Sequence, residues 1–192
     1  ICQLIREDLI KDFIIYVSKN DYPLDSNIEK SIYETNLLLD KEYVRLIEYA
    51  AFFGSIQIFK YLHLNEVNLT QSLWIYGIHS DNSELISILE DEKIQPKNPK
   101  ICFKEAIKCH HNDVANYIQS NLLEDKLEFN DNEHNINDNI LSYCFLYYNY
   151  LYFPDELNNF VFSCACKSDN FSIINYFLTT KKAELNDKTI HD

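Results

Sequence analysis

Apolar residues recur along this chain with a helical period, and one short pattern returns several times. Between Leu46 and His63 the sequence runs Leu-Ile-Glu-Tyr-Ala-Ala-Phe-Phe-Gly-Ser-Ile-Gln-Ile-Phe-Lys-Tyr-Leu-His. Sliding this window by 27 residues, from Ala50 to Gly77, puts Trp74, Asp81, Leu85, Ile86 and Leu89 under Ile47, Gly54, Ile58, Phe59 and Leu62. A further 29 residues, from Gly77 to Ala106, bring Phe103, His110, Val114, Ala115 and Ile118 into the same slots. A fourth copy holds Phe162, Ala165, Asp169, Ile173, Ile174 and Phe177. Self-similarity of this kind is the mark of stacked repeat units.

Each copy predicts two short helices. In the first, an apolar residue is followed three positions on by a small one: Ile47/Ala50, Trp74/Gly77, Phe103/Ala106, Phe162/Ala165. That spacing places both on one helix face, and the small residue admits a close neighbour. The second helix carries apolar residues at i, i+1 and i+4, an amphipathic face. Between them sits Gly54, Asp81, His110 or Asp169. These are the residue types that best tolerate the positive φ needed to turn one helix into the next. Ser55, Asn82, His111 and Asn170 follow, as turn or capping residues.

The pattern divides the chain into units at about 1–20, 45–70, 73–98, 101–123, 139–156 and 157–186. The first is degenerate, with Asp8 in the turn slot and Phe13 and Val17 on the second helix. Residues 22–43 are an insertion, a loop with one helical turn near Thr35–Leu39. Residues 124–139 are an acidic, Asn-rich surface loop. The unit at 139–156 has Leu141 and Cys144 in place, but Ala165 follows too soon for a full second helix, and Pro154 starts what comes next. One repeat domain over 1–192 is the expectation.

Composition sharpens this. Only two glycines and four prolines occur, too few for a hairpin-rich β architecture or a phosphate-cradling loop. The formal charge of −13 disfavours nucleic acid and anionic membrane surfaces. No apolar run is long enough to span a bilayer. The six cysteines lack the dense spacing of a disulfide framework, which suggests a reduced, cytoplasmic setting. With no methionine, the chain reads as a fragment of a longer repeat protein.

The string Leu46–Leu62 resembles the ankyrin repeat, T-P-L-H-x-A-A-x-x-G-H-x-x-I-V-x-x-L-L. Ala50, Ala51, Gly54, Ile58 and Leu62 match it, and Glu66-Val67-Asn68-Leu69 and Ala183-Glu184-Leu185-Asn186 resemble the family's G-A-D-V-N tail. Arg45-Leu46-Ile47-Glu48 replaces T-P-L-H, so the Thr/His hydrogen-bonding turn is lost. The period is also shorter than the ~33 residues of ankyrin. The resemblance implies an all-α, ankyrin-like α-solenoid of stacked helix-turn-helix repeats with short inter-repeat loops. It further implies a concave face lined by Tyr49, Phe52, Phe53, Tyr76, His79, Ser80, Glu105, Lys108 and Cys109. Tyr49 and Tyr76 are expected to be exposed there, and Phe52 and Phe53 are divided between groove and core. Aromatics on such a face make good anchors for a protein partner. Tyr147, Tyr148, Tyr150 and Tyr152 form a second aromatic cluster of unassigned facing.

Chemistry is sparse. Cys102, Cys109, His110 and His111 are the nearest approach to a metal set, but zinc needs about four converging ligands and the histidines fall in turn slots. Cys144 and Cys166 take small-residue slots, where a free cysteine packs as a small apolar group. No nucleophile elbow is present. The expectation is a non-enzymatic protein–protein interaction module. It would have no cofactor, metal or small-molecule substrate, and flanking repeats of its own chain are expected as further partners. The alternatives are a structural spacer in a longer array and, more remotely, a metal-dependent enzyme or sensor.

Overall fold

A computed structural model describes residues 1–123, 140–153 and 158–180. The acidic loop 124–139, Pro154 and the tail Ala183–Asn186 lie outside the described residues. The structure is mostly helical, with one minimal two-stranded pairing among the described residues, and groups into two compact units, Ile1–Cys102 and Phe103–Asp192. Each is described by itself.

In the first unit, α1 (Cys2–Arg6) and α2 (Ile10–Lys19) form one hairpin. Helices α3 (Leu46–Phe53) and α4 (Ile56–Leu64) form the next, and α5 (Leu73–Ser80) and α6 (Ser83–Asp91) the third. The first helices pack in series, α1 on α3 and α3 on α5, and α2 lies on α4. The apolar slots explain this. Ile47, Ala50, Ile58, Phe59, Leu62, Trp74, Leu85 and Leu89 are all fully buried. Trp74 satisfies its indole by donating from Nε1 to the Ile94 carbonyl at 2.7 Å. Gly77 is small for a reason: a Cβ there would stand 2.6 Å from Leu85 Cδ2.

The turn slots adopt the left-handed conformation as expected. Their φ values are 67° at Gly54, 50° at Asp8 and Asp81, 60° at His110 and 51° at Asp169. After Asp8, Gly54, His110 and Asp169 the next residue's N–H reaches back to the small-residue carbonyl or its equivalent, as in Ser55 to Ala50 at 2.9 Å and Asn170 to Ala165 at 3.0 Å. This closes a Schellman-type cap. The second helices of the first unit end the same way: Asp21, Glu66 and Lys93 have positive φ, and Val67 N–H bonds the Leu62 carbonyl at 3.1 Å. A chain with two glycines therefore makes its tight turns with Asp, His, Glu and Lys.

The second unit holds the rest of α7 (Pro99–Cys109), which begins in the first, then α8 (Asn112–Asn121) and α9 (Ile140–Leu146). A 3-10 turn at Tyr150–Tyr152 and a last hairpin, α10 (Asn159–Lys167) and α11 (Phe171–Thr180), follow. The irregular unit resolves here: Tyr148 takes the left-handed slot at 56°, and the 3-10 turn stands where a second helix would be. Leu141, Phe145, Val161, Phe162, Ala165 and Phe177 make its core, with Ile173 and Ile174 only partly covered.

Polar residues knit hairpin to hairpin. The Asp8 carboxylate accepts from the Gln57 and Ile58 N–H groups, both at 3.0 Å, and so caps α4 from the preceding hairpin. Ser55 donates to the Ile5 carbonyl, and Asn149 to the Ile107 carbonyl at 3.0 Å. The start of α3 is fixed in the same way by polar groups. Arg45 N–H donates to Glu48 Oε2 at 3.0 Å, the glutamate half of a capping box. Ser72 then donates to the same buried carboxylate at 2.6 Å.

Candidate functional site

The first-helix face of the first unit is built by α1, α3 and α5, and the insertion 22–43 lies on it. The insertion is tethered at both ends. Tyr22 N–H donates to the Val17 carbonyl at 3.0 Å. Strand β1 (Asn27–Ile28) pairs antiparallel with β2 (Val44–Arg45), and Leu46 N–H reaches the Ser26 carbonyl at 3.0 Å. The expected helical turn is present as one closed turn, with Asp40 N–H on the Asn36 carbonyl at 2.8 Å.

The middle of the insertion grips the helices. Arg6, at the end of α1, pairs with the Glu34 carboxylate and donates from Nε to the Tyr49 hydroxyl at 2.7 Å. The Tyr49 hydroxyl donates in turn to Glu34 Oε1 at 2.5 Å. One helix further on, the Tyr76 hydroxyl donates to the Leu38 carbonyl at 3.3 Å and accepts from Lys41 Nζ at 3.4 Å. The Lys41 ammonium stands over the Tyr76 ring at 5.2 Å. Burial pushes the Tyr76 phenol up to about 12 and the Tyr49 phenol up as well, so both are proton donors at neutral pH.

This corrects the expectation for Tyr49 and Tyr76. They are 1% and 2% exposed, not groove-facing anchors open to solvent. The insertion covers them, and an aperiodic segment gives no sign of where it will lie. Phe52 and Phe53 are half-buried. Phe52 stacks on the His79 ring at 4.8 Å and 22°, and Phe53 packs on Tyr49 at 4.7 Å with the Arg6 guanidinium 5.2 Å above it. Ser80 turns its hydroxyl back to the Gly77 carbonyl at 2.8 Å. In the second unit, Lys108 pairs with Glu105 at 3.0 Å and stands 6.0 Å from the Tyr147 ring centroid, and Cys109 is half-buried.

Sequence reasoning missed Arg6, Glu34 and Lys41. A signal for the first was present: Arg6 and Arg45 are the chain's only arginines among seventeen basic residues. Arginine is the cation suited to multidentate recognition. Both serve so here, Arg45 holding the Asn68 carbonyl at 3.0 Å and the Thr70 hydroxyl at 2.8 Å.

Of the proposed metal set, Cys102 is buried. His110 holds a hairpin turn and bonds through Nε2 to the Tyr147 carbonyl at 2.7 Å. Cys109, His110 and His111 do not converge on a common point. None of the six cysteines is in a disulfide, and burial pushes the Cys144 thiol up to about 12. In the second aromatic cluster Tyr152 is buried, donating to the Asn112 carbonyl at 3.0 Å, while Tyr148 and Tyr150 are exposed. A cleft of about 830 Å³ lies between the Leu69–Ser72 and Lys93–Asn98 connections, floored by Ile75, Ile94 and Cys102. Among the described residues no helix is long and apolar enough to cross a membrane. No protein-family model, curated protein or solved structure matches the chain.

Proposed function

We propose that this chain is a protein-binding module of ankyrin-like stacked hairpins whose first-helix face holds a polypeptide partner. One observation carries the reading. Across three successive first helices the face presents a guanidinium and two phenols aimed outward, and these already hold an irregular length of polypeptide, residues 22–43. Buried phenols flanked by half-buried aromatics are the anchor chemistry of protein interfaces. The in-register copies Ile47/Ala50, Trp74/Gly77, Phe103/Ala106 and Phe162/Ala165, all buried, support the likeness to ankyrin repeats.

The half-buried aromatic part of the face is the Phe52–Phe53–His79 group, and it supplies the test. Phe52→Ala with His79→Ala should abolish capture of partners from native lysate, while the thermal midpoint stays within a few degrees of wild type. An unchanged set of captured proteins would remove this face from the reading. A spacer role is favoured instead by α11, where Phe171 is 82% and Leu178 52% exposed, an edge fit for a further hairpin.

A further inference from the structure

The insertion is unlike the rest of its unit in how it is held. Elsewhere in the unit most large apolar side chains point inward, and Ile47, Phe59, Leu62 and Trp74 are fully buried, with Ile15, Leu64 and Ile101 the main exposed ones. In the insertion they mostly point out: Ile32 is 89% exposed, Tyr33 83%, Leu37 81% and Tyr43 66%. Leu39 and Ile28 are its buried apolar contribution. What fixes its middle is polar: Glu34 on Arg6 and Tyr49, the Leu38 carbonyl on Tyr76, and Lys41 over the Tyr76 ring. Contacts of that kind, partly open to water, exchange readily for equivalent ones from another chain. The first helices beneath are locked by core packing and need not move when the cover leaves.

Resting on the partner-binding reading above, we propose that residues 29–43 are an internal pseudo-ligand. The face beneath is a site for an acidic peptide that binds by displacing them and takes up the same turned course. The incoming carboxylate takes the place of Glu34 between Arg6 and Tyr49, and a backbone carbonyl four residues on takes the place of Leu38 opposite Tyr76. Charge allows the exchange in an acidic protein. The departing segment carries Glu29, Glu34, Asp40 and Glu42 against Lys30 and Lys41, so one acidic segment replaces another. Only Arg6 faces the incoming carboxylate as a full cation once Lys41 has left with the segment.

The probe is a fluorescein-labelled peptide of residues 29–43 of this chain, added to the full chain. In Glu34→Gln the cover loses its carboxylate while Arg6 and Tyr49 stay. Hydrogen exchange over 29–43 should rise about tenfold or more, the worth of one charge-assisted hydrogen bond. The peptide should bind this variant about tenfold more tightly than wild type. A peptide carrying the same Glu34→Gln change should not bind, and Arg6→Gln in the chain should abolish binding. Lys41→Gln, which frees the cover from Tyr76 instead, serves as a second loosening variant should the first fold poorly. The proposal is overturned if peptide binds wild type and loosened chain equally, if it binds neither although exchange over 29–43 has risen, or if exchange does not rise. No partner is needed, so an empty capture experiment leaves this proposal standing, and an unbound peptide leaves the broader reading standing.

Discussion

Asp8, Asp81, His110, Tyr148 and Asp169 each carry a positive φ that glycine would adopt without strain. For a residue with a Cβ the left-handed region costs about 1 kcal/mol or more. Asp169 is exposed, so Asp169→Gly should raise stability by roughly 0.5–1 kcal/mol, read from the denaturant midpoint. Asp8 is different, because its carboxylate caps α4. There Asp8→Ala should cost about 1–2 kcal/mol, the worth of a helix cap. Equal effects at the two sites would mean that the cap contributes nothing. Buried phenols make a second prediction. Tyr76 and Tyr152 are pushed up to about 12 by burial, and Tyr49 is raised too. A folded-state value above the unfolded ~10 means the protonated form is favoured by folding. The stability it contributes is full below about pH 10 and is lost as pH rises through about 12. The urea midpoint should therefore fall between about pH 9 and pH 11.5. A flat profile across that interval contradicts the burial of these phenols.

At the scale of the element, helices and insertion differ in how far they could be foreseen. The hairpin α3–α4 follows from local facts: a three-residue apolar/small spacing, a glycine turn at Gly54 and an i, i+1, i+4 apolar face. Its neighbour α5–α6 repeats them with Trp74, Gly77 and Asp81. The degenerate first unit followed the same rule, with Asp8 in its turn and Phe13 and Val17 buried. Tyr148 escaped notice because a bulky aromatic in the left-handed region breaks the preference on which the inference rests. The insertion has no period, so only its single turn at Asn36–Asp40 was foreseeable. Its resting place on the first-helix face depends on contacts between residues far apart in sequence, such as Glu34 with Arg6 and Tyr49. Those contacts hide two of the expected anchors, Tyr49 and Tyr76, which no local pattern in the sequence could show.

For the molecule as a whole, net charge is the governing quantity. At −13, self-repulsion opposes compaction, and its ion pairs do not offset this. Lys30–Asp40, Lys60–Glu84 and His63–Glu92 lie at or near the surface, where such pairs are worth little. Salt should therefore stabilise the chain. Raising NaCl from about 10 mM to about 200 mM shortens the screening length several-fold, and the urea midpoint should rise with it. A fall would mean that the ion pairs outweigh the repulsion.

By itself the sequence determined the regular helical hairpins, their turns apart from Tyr148, and their buried faces. Each depends on neighbours within a few residues, through helical periodicity, the steric cost of positive φ and the room left by a small side chain. Only the tertiary structure decided where residues 22–43 come to rest, that Tyr49 and Tyr76 lie beneath them, and that Asp8, Ser55 and Asn149 bond across to adjacent hairpins. Those are choices among polar partners distant along the chain, and no local preference selects between them.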